Sequence, residues 1–222
     1  MQYLYHLDAS KELLELTGDE HRYIFKVRRH RAAEKIYLRN LKDGYIYHYL
    51  IDSIDKKTAT LHLLEKRYLD IKAKRSLHIG WCIIEPKNIE KMLPSLNEIG
   101  VAKISFIYCN RSQHSHKLDI DRLHKILLNS SQQSGRSEMM ELEIVDSMIE
   151  FVERYPESYM LNFSEHTISN DVDIGTIVVG CEGGFDDKET ALYQSDKIVG
   201  FDTPMILKSE SATISLASQI LL

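Results

Sequence analysis

The chain has 222 residues, 43% of them hydrophobic and 27% charged, with a formal net charge of −5. A chain of this length can bury a core without covalent staples, as one large domain or two modest ones. No apolar run approaches the roughly 18–20 residues that span a membrane, and Met1 to His6 lack the pattern of a secretory signal. The cysteines (Cys82, Cys109, Cys181) are odd in number and far apart in sequence, without a C-x-x-C. They read as reduced thiols in a cytosol, against a disulfide framework or a zinc site.

The N-terminal third reads as short strands. Thr17-Gly18-Asp19-Glu20 has the spacing of a capping box, which predicts a helix over His21 to Arg29. Ile36 to Arg39 alternates, Asp43-Gly44 turns, and Tyr45 to Ile54 runs extended with Tyr45, Tyr47 and Tyr49 on one face. Asp55-Lys56-Lys57 turns again and Thr58 to Leu64 alternates back. Several short strands and one helix point to a small β-barrel. Charge concentrates here: Arg22 to Lys42 holds eight Lys/Arg (22, 26, 28, 29, 31, 35, 39, 42) against one acid, Glu34. Lys66 to Arg75 holds five bases against one acid. The pattern predicts a basic surface on an otherwise acidic protein. Charge alone leaves a solvated face and an anionic partner equally open. On the predicted helix, Arg22, Lys26 and Arg29 share one face, with Ile24 and Val27 turned into the barrel.

The period changes after Lys66–Arg75, which places a first domain at residues 1–70 and a second at 71–222. Leu77 to Ile84 is a near-continuous apolar run, as in a strand buried on both faces. Asn88 to Ile99 is helical in pattern, bent or shortened by Pro94 and stopped by Gly100. Ile104 to Tyr108, Met139 to Val145, Ser158 to Phe163 and Thr176 to Gly180 read as strands. Asp121 to Ser134, Ser147 to Arg154, a turn capped by Asp186 and Ser211 to Leu222 read as helices. This alternation predicts a mostly parallel sheet covered on both faces.

The most informative stretch is the last. Ile177 to Phe185 carries Gly180, Gly183 and Gly184. Ile198-Val199 ends in Gly200. Ile206-Leu207-Lys208 runs into the small residues that open the final helix. Three strand ends stripped of bulk and lying side by side form a slot where backbone approaches a nucleotide-like ligand. Glu182 in the loop suits a ribose hydroxyl or a cationic cofactor. A P-loop, a G-x-G-x-x-G, a G-x-S-x-G and an H-E-x-x-H are all absent from the sequence. Ser131 to Arg136 offers amides that read a base edge and an arginine that holds phosphate or a developing anion; an exposed helix end explains it equally well.

In order, these residues resemble the RsmE family of 16S rRNA uridine-N3 methyltransferases, within the SPOUT class. The likeness lies in His21 to Arg28, Glu98-Ile99-Gly100-Val101, Arg111-Ser112, Gln132 to Arg136, Val179 to Glu189 and Leu207 to Ala212. The chain departs from the family pattern at Cys181 (a proline there), Gln132 (a glutamate) and Lys208 (an arginine).

The resemblance implies an α/β fold: a SPOUT-type domain with a deep C-terminal trefoil knot, preceded by a small PUA-like β-barrel that binds RNA. It implies S-adenosyl-L-methionine as cofactor, with Gly180, Glu182, Gly183, Gly184, Val199, Gly200, Ile206, Leu207, Lys208 and Ser211 as its binding residues. Arg136 is the catalytic candidate, and Arg22, Lys26, Arg28, Arg29 and Arg111 the RNA-binding candidates. The implied partners are 16S rRNA in the small ribosomal subunit and a second copy of the chain in a homodimer. No metal and no membrane are implied, and the implied location is cytoplasmic. The competing readings are a dinucleotide-binding oxidoreductase using the same slot, and an RNA-binding protein of this fold without catalysis.

Overall fold

The computed structural model describes residues 2–168 and 173–222. The chain divides into two compact units. The first runs to Lys72 and takes in Leu128–Met139; the second holds Ala73–Leu127 and Met140 onward.

In the first unit, β1 (Leu4–Tyr5), β2 (Leu13–Thr17), β3 (Lys35–Arg39), β4 (Tyr45–Ile54) and β5 (Thr58–Tyr68) form a sheet in the order β1-β3-β4-β5-β2. Register shifts at His48/Tyr49 and Ile51/Ser53 curl the long β4–β5 hairpin. Its concave face buries Leu14, Leu16, Leu38, Tyr49, Ile51 and Leu61. Tyr47 and Tyr49 lie in that core and Tyr45 packs against it, so the tyrosines share a face as their alternation predicts. Tyr47 keeps its hydroxyl satisfied by donating to Asp43 Oδ2 at 2.6 Å.

Three readings of this unit need correction. First, Thr17 makes no side-chain cap bond, and α1 (Gly18–His21) opens without a capping box. Second, α1 continues as a π-helical turn over Arg22–Val27. The wider turn swings Val27 away from Ile24, so Ile24 is buried at 4% exposure and Val27 is 62% exposed. Arg29 lies past the helix end in the left-handed region, at φ 61°, and shares no helical face with Arg22 and Lys26. Third, Arg39 is not part of the basic surface. It is 1% exposed, and its guanidinium donates to the carbonyls of Leu69 (2.7 Å), Gly44 (3.3 Å) and Tyr45 (3.5 Å). It also lies 5.3 Å from the centre of the Tyr3 ring. A buried cation spent on carbonyls is a structural fastener.

The segment Leu128–Met139 joins this unit through specific bonds. Tyr5 N–H donates to Gln132 Oε1 at 2.8 Å and the Tyr3 hydroxyl donates to the Arg136 carbonyl at 2.8 Å. Ser137 Oγ donates to the Leu69 carbonyl and accepts from Ile71 N–H.

In the second unit, β6 (His78–Cys82), β7 (Lys103–Ile107), β8 (Glu141–Val145), β9 (Tyr159–Leu161), β10 (Thr176–Val179) and β11 (Ile198–Val199) form a sheet in the order β11-β9-β10-β6-β7-β8, parallel at every pairing. Every residue of the central β6 is buried, which is what its apolar run requires. The helices are α2 (Pro86–Ile99), the start of α3 (Ile120–Ser134, which belongs to the first unit from Leu128 on), α4 (Met148–Arg154), α5 (Asp187–Thr190) and α6 (Ser209–Leu221), with α6 packed against α2. Pro94 does not shorten α2, which runs on to Ile99 and ends at Gly100 with φ 111°. Residues 206–208 form no strand; they lead into α6, with Lys208 extended at its N-cap.

The start of this sheet buries a polar network. His78 Nε2 lies 2.6 Å from Ser105 Oγ, and Ser105 donates in turn to Glu143. Glu143 also accepts from the Tyr155 hydroxyl at 2.9 Å and pairs with Lys103 at 3.2 Å. Burial first, then Lys103, pushes His78 down from 6.5 to about 4. Burial would raise Glu143, but its bonds to Ser105, Tyr155 and Lys103 hold it below the usual carboxylate range. Between the two His78 values the unfolded chain binds more protons than the folded one, so stability falls as pH drops from 6.5 toward 4. Glu143 adds a loss of the same sign at lower pH. The His78 contribution is on the order of 3 kcal/mol. Urea unfolding across this range should show the loss in the native chain and a flattened profile in His78→Gln.

Candidate functional site

At the carboxyl ends of the second unit's strands lies a cavity of about 410 Å³. Its wall comes from four segments: Leu161–Ser164 after β9, Val179–Phe185 from β10, Gly200, Phe201 and Thr203 after β11, and Met205–Leu207 with Ser209 and Ala212 leading into α6. The ends of β10 and β11 do not lie side by side, as the glycine pattern suggested. The short β9 is inserted between them and contributes its own exit to the wall.

The glycines explain how the walls meet. A Cβ on Gly200 would stand 3.0 Å from the Asn162 carbonyl oxygen and 3.1 Å from Ser164 N, so the β9 and β11 exits touch backbone to backbone. Gly184 sits at φ 65°, where its N–H closes a turn onto the Cys181 carbonyl at 2.9 Å. Beneath the loop, buried Trp81 donates to Ser209 Oγ at 2.9 Å, and Ser209 Oγ donates to the Gly180 carbonyl at 2.5 Å. Beyond it, Asp186 and Glu189 form a reciprocal capping box that opens α5.

Of the cofactor candidates, Gly180, Glu182, Gly183, Gly184, Gly200, Ile206 and Leu207 line the cavity. Val199 is buried one residue before the lining, and Lys208 and Ser211 are exposed outside it. Arg111, exposed in the loop after β7, donates to the Gly183 carbonyl at 2.6 Å. Arg22, Lys26, Arg28 and Arg29 are exposed in the first unit. Arg28 lies against Tyr23, its Nε donating to the hydroxyl at 3.1 Å. Arg136 is 5% exposed in the first unit, paired with Glu138 at 3.3 Å, and is not among the cavity residues. The cofactor candidates left out the β9 exit (Leu161–Ser164), Val179, Cys181, Phe185, Phe201, Thr203, Met205, Ser209 and Ala212, all of which line the cavity. Val179, Cys181 and Phe185 had a usable signal as neighbours of the glycines, and Ser209 and Ala212 as small residues at the head of the last helix.

The cysteines are far apart in sequence but not in space. Cys109 Sγ lies 3.6 Å from Cys181 Sγ, and all three thiols are free and buried. Burial, reinforced by Cys109, pushes the Cys82 thiol up.

Removing the Ser209 hydroxyl leaves a buried indole N–H and the Gly180 carbonyl without that partner. Ser209→Ala should lose about 1–3 kcal/mol. Urea unfolding followed through Trp81, the one tryptophan in the sequence, measures this directly.

Comparisons with known proteins agree with this geometry. Residues 72–221 match the RNA methyltransferase domain family, and residues 16–64 match the RNA methyltransferase PUA domain family. A Helicobacter pylori protein named ribosomal RNA small subunit methyltransferase E is 38% identical over 98% of each chain. A Rickettsia conorii protein of the same name is 27% identical, over 96% of this chain and 91% of its own. Among solved structures, ribosomal RNA small subunit methyltransferase E from Neisseria gonorrhoeae, bound to S-adenosyl methionine, superposes with a TM-score of 0.81 at 19% identity, covering 98% of this chain and 95% of that one. A Legionella pneumophila structure with SAM as bound cofactor gives 0.81 at 22% identity, covering 98% and 94%. The chain belongs to the ribosomal RNA small subunit methyltransferase E family.

Proposed function

We propose that this chain methylates N3 of a uridine in the 16S rRNA of the small ribosomal subunit, with S-adenosyl-L-methionine as methyl donor. The observation that carries the reading is the cavity at the strand exits, walled by a glycine loop and by apolar side chains and set in a domain of the RNA methyltransferase family. Its volume falls within the range of sites for compact organic ligands. The donor set suits the cofactor: apolar Leu161, Ile206 and Leu207 offer faces for a flat base, main chain at Gly180–Gly184 offers polar groups for its edge, and the Glu182 carboxylate suits a ribose hydroxyl or a cationic ammonium. When bound, the cofactor supplies an electrophilic sulfonium methyl.

The rest of the reaction falls to the protein. Uridine N3 lies on the Watson–Crick edge, so the base has to be unpaired before it can react. N3 gives up its proton to solvent and gains the methyl as the S–CH3 bond breaks to leave a thioether, and a cation beside the base favours the proton loss. On the resemblance we assign this stabilising role to Arg136. The exposed bases of the first unit, Arg22, Lys26, Arg28 and Arg29, are assigned to phosphate contacts, which position RNA without reading its sequence. The matching PUA domain supports that division of labour. The proposal includes a homodimer. Phe163, Met205 and Ile206 on the cavity lining are 79%, 69% and 81% exposed, an apolar surface that suits a second copy. It also includes a trefoil crossing where the chain returns from β11 to the Gly180 loop, and a cytoplasmic location.

Trp81 lies one hydrogen bond from Ser209, which lines the cavity, so its emission should change on titration with S-adenosylmethionine and not with NAD. Ligand at 100 times its dissociation constant should add about 2.7 kcal/mol of stability. Gly200→Val, which drives a side chain into the backbone of the β9 exit, should abolish both responses while the chain stays folded. A response to NAD alone would favour an oxidoreductase. For RNA, replacing Arg22, Lys26 and Arg28 with alanine should flatten the slope of log affinity against log salt by up to about two units. Cofactor affinity should not change. An unaltered slope would make these charges a solvated face.

A further inference from the structure

The loop after β7 makes no part of the cavity wall, yet it grips the wall's glycine loop. Arg111 Nη1 donates to the Gly183 carbonyl at 2.6 Å. The Arg111 stem runs alongside, its Cβ and Cδ 3.3 Å from where a Cβ on Gly183 would stand. Asn110 holds the far side of the same segment twice. Its side-chain Nδ2 donates to Asp186 Oδ2 at 2.8 Å, and its backbone N–H donates to Glu189 Oε1 at 2.7 Å. Glu189 is 3% exposed, and its other oxygen accepts from Asp186 N–H at 3.1 Å, so one buried carboxylate ties the two loops together. Cys109 completes the seam against Cys181. The gripping loop is itself anchored to the sheet: Ser112 Oγ donates to the Ile83 carbonyl at 3.0 Å, and Ser112 N–H donates to the Cys109 carbonyl at 3.0 Å.

We propose that Asn110 and Arg111 are positioning residues that hold the Gly180–Phe185 loop in its cofactor-binding shape, and that Arg111 acts on this loop and not on RNA phosphate. The proposal rests on the reading of the cavity as the S-adenosylmethionine site. Glycine loses more conformational freedom than any other residue when it is held, and this loop carries three glycines, one in the left-handed region. Its internal bonding among the described residues is thin: the Gly184 turn and a weak Cys181 thiol contact to the Gly184 carbonyl. A wall segment of this kind forms a fixed site only when something outside braces it. Ser209 holds the start of the loop at Gly180, and the Asn110–Arg111 brace holds its later part, at Gly183 and at the Asp186–Glu189 turn, without entering the cavity. Removing it should leave the fold intact and let the loop sample shapes that do not bind.

The test uses the full chain with Arg111→Ala, Arg111→Lys and Asn110→Ala. S-adenosylmethionine affinity is measured by calorimetry, and affinity for a small-subunit rRNA fragment by anisotropy across a salt series. Arg111→Ala and Asn110→Ala should each weaken cofactor binding about tenfold, the scale of one lost hydrogen bond involving a charged group. Their melting temperatures, RNA affinity and salt slope should stay at the wild-type values. Arg111→Lys should recover most of the loss, because the contact to Gly183 uses a single N–H. Unchanged cofactor affinity in both alanine variants overturns the proposal. So does an Arg111→Ala variant that loses RNA affinity and salt slope while binding cofactor normally, since that is the behaviour of a phosphate ligand. Wild-type chain that fails to bind S-adenosylmethionine overturns the cavity reading itself, and this outcome is seen before any variant is compared.

Discussion

The site depends on backbone crowding at the carboxyl ends of a parallel sheet. β9, inserted between β10 and β11, leaves so little room beside its exit that Gly200 has carbonyl and amide groups where a Cβ would need space. The segment leading into α6 closes in from another side and is locked to Gly180 through Ser209 and Trp81. A cavity made this way sets the main chain of a glycine loop, Gly180–Gly184, opposite apolar side chains such as Leu161, Ile206 and Leu207. Open parallel sheets place ligands at strand carboxyl ends because the loops there are free to differ while the strands hold their spacing.

The two units differ in their chemistry. The second buries apolar strands on both faces and offers a cavity with one carboxylate, Glu182, in its lining. The first exposes cations on a curled sheet and its helical turn. A net charge of −5 conceals this contrast, because the acids are spread over the remainder of the chain. Arg39 shows why counting charge is not enough. It adds to the sequence tally but is buried on three carbonyls, where it fastens the turn at Gly44 and the segment at Leu69.

Much of this was legible in the residues, for identifiable reasons. Period-two alternation gave β3 to β5 because one face of that sheet is wet. A continuous apolar run gave β6 because both of its faces are covered. The glycines of the Gly180–Gly184 loop were visible as a cluster after an apolar strand, and Gly184, at φ 65°, holds a conformation that other residues rarely take. What stayed hidden was long-range or geometric. The insertion of β9 is a matter of strand order, which local pattern does not encode. The π-helical turn at Arg22–Val27 keeps a helical composition while rotating Val27 outward. The attachment of Leu128–Met139 to the first unit is carried by Gln132, Arg136 and Ser137 against Tyr3, Tyr5, Leu69 and Ile71, contacts that leave no periodicity. Arg111 fits an RNA-binding arginine as well as it fits a brace; only its bond to Gly183 separates the two.

The most direct test of the account is the chemical identity of the product. Full-length chain is incubated with S-adenosylmethionine carrying a labelled methyl and with small-subunit RNA lacking the modification, and the RNA is then digested to nucleosides for mass spectrometry. The account predicts that the label appears as 3-methyluridine at a single position. Label on a ribose hydroxyl or on another base, or none at all when cofactor binding has been demonstrated, would contradict it.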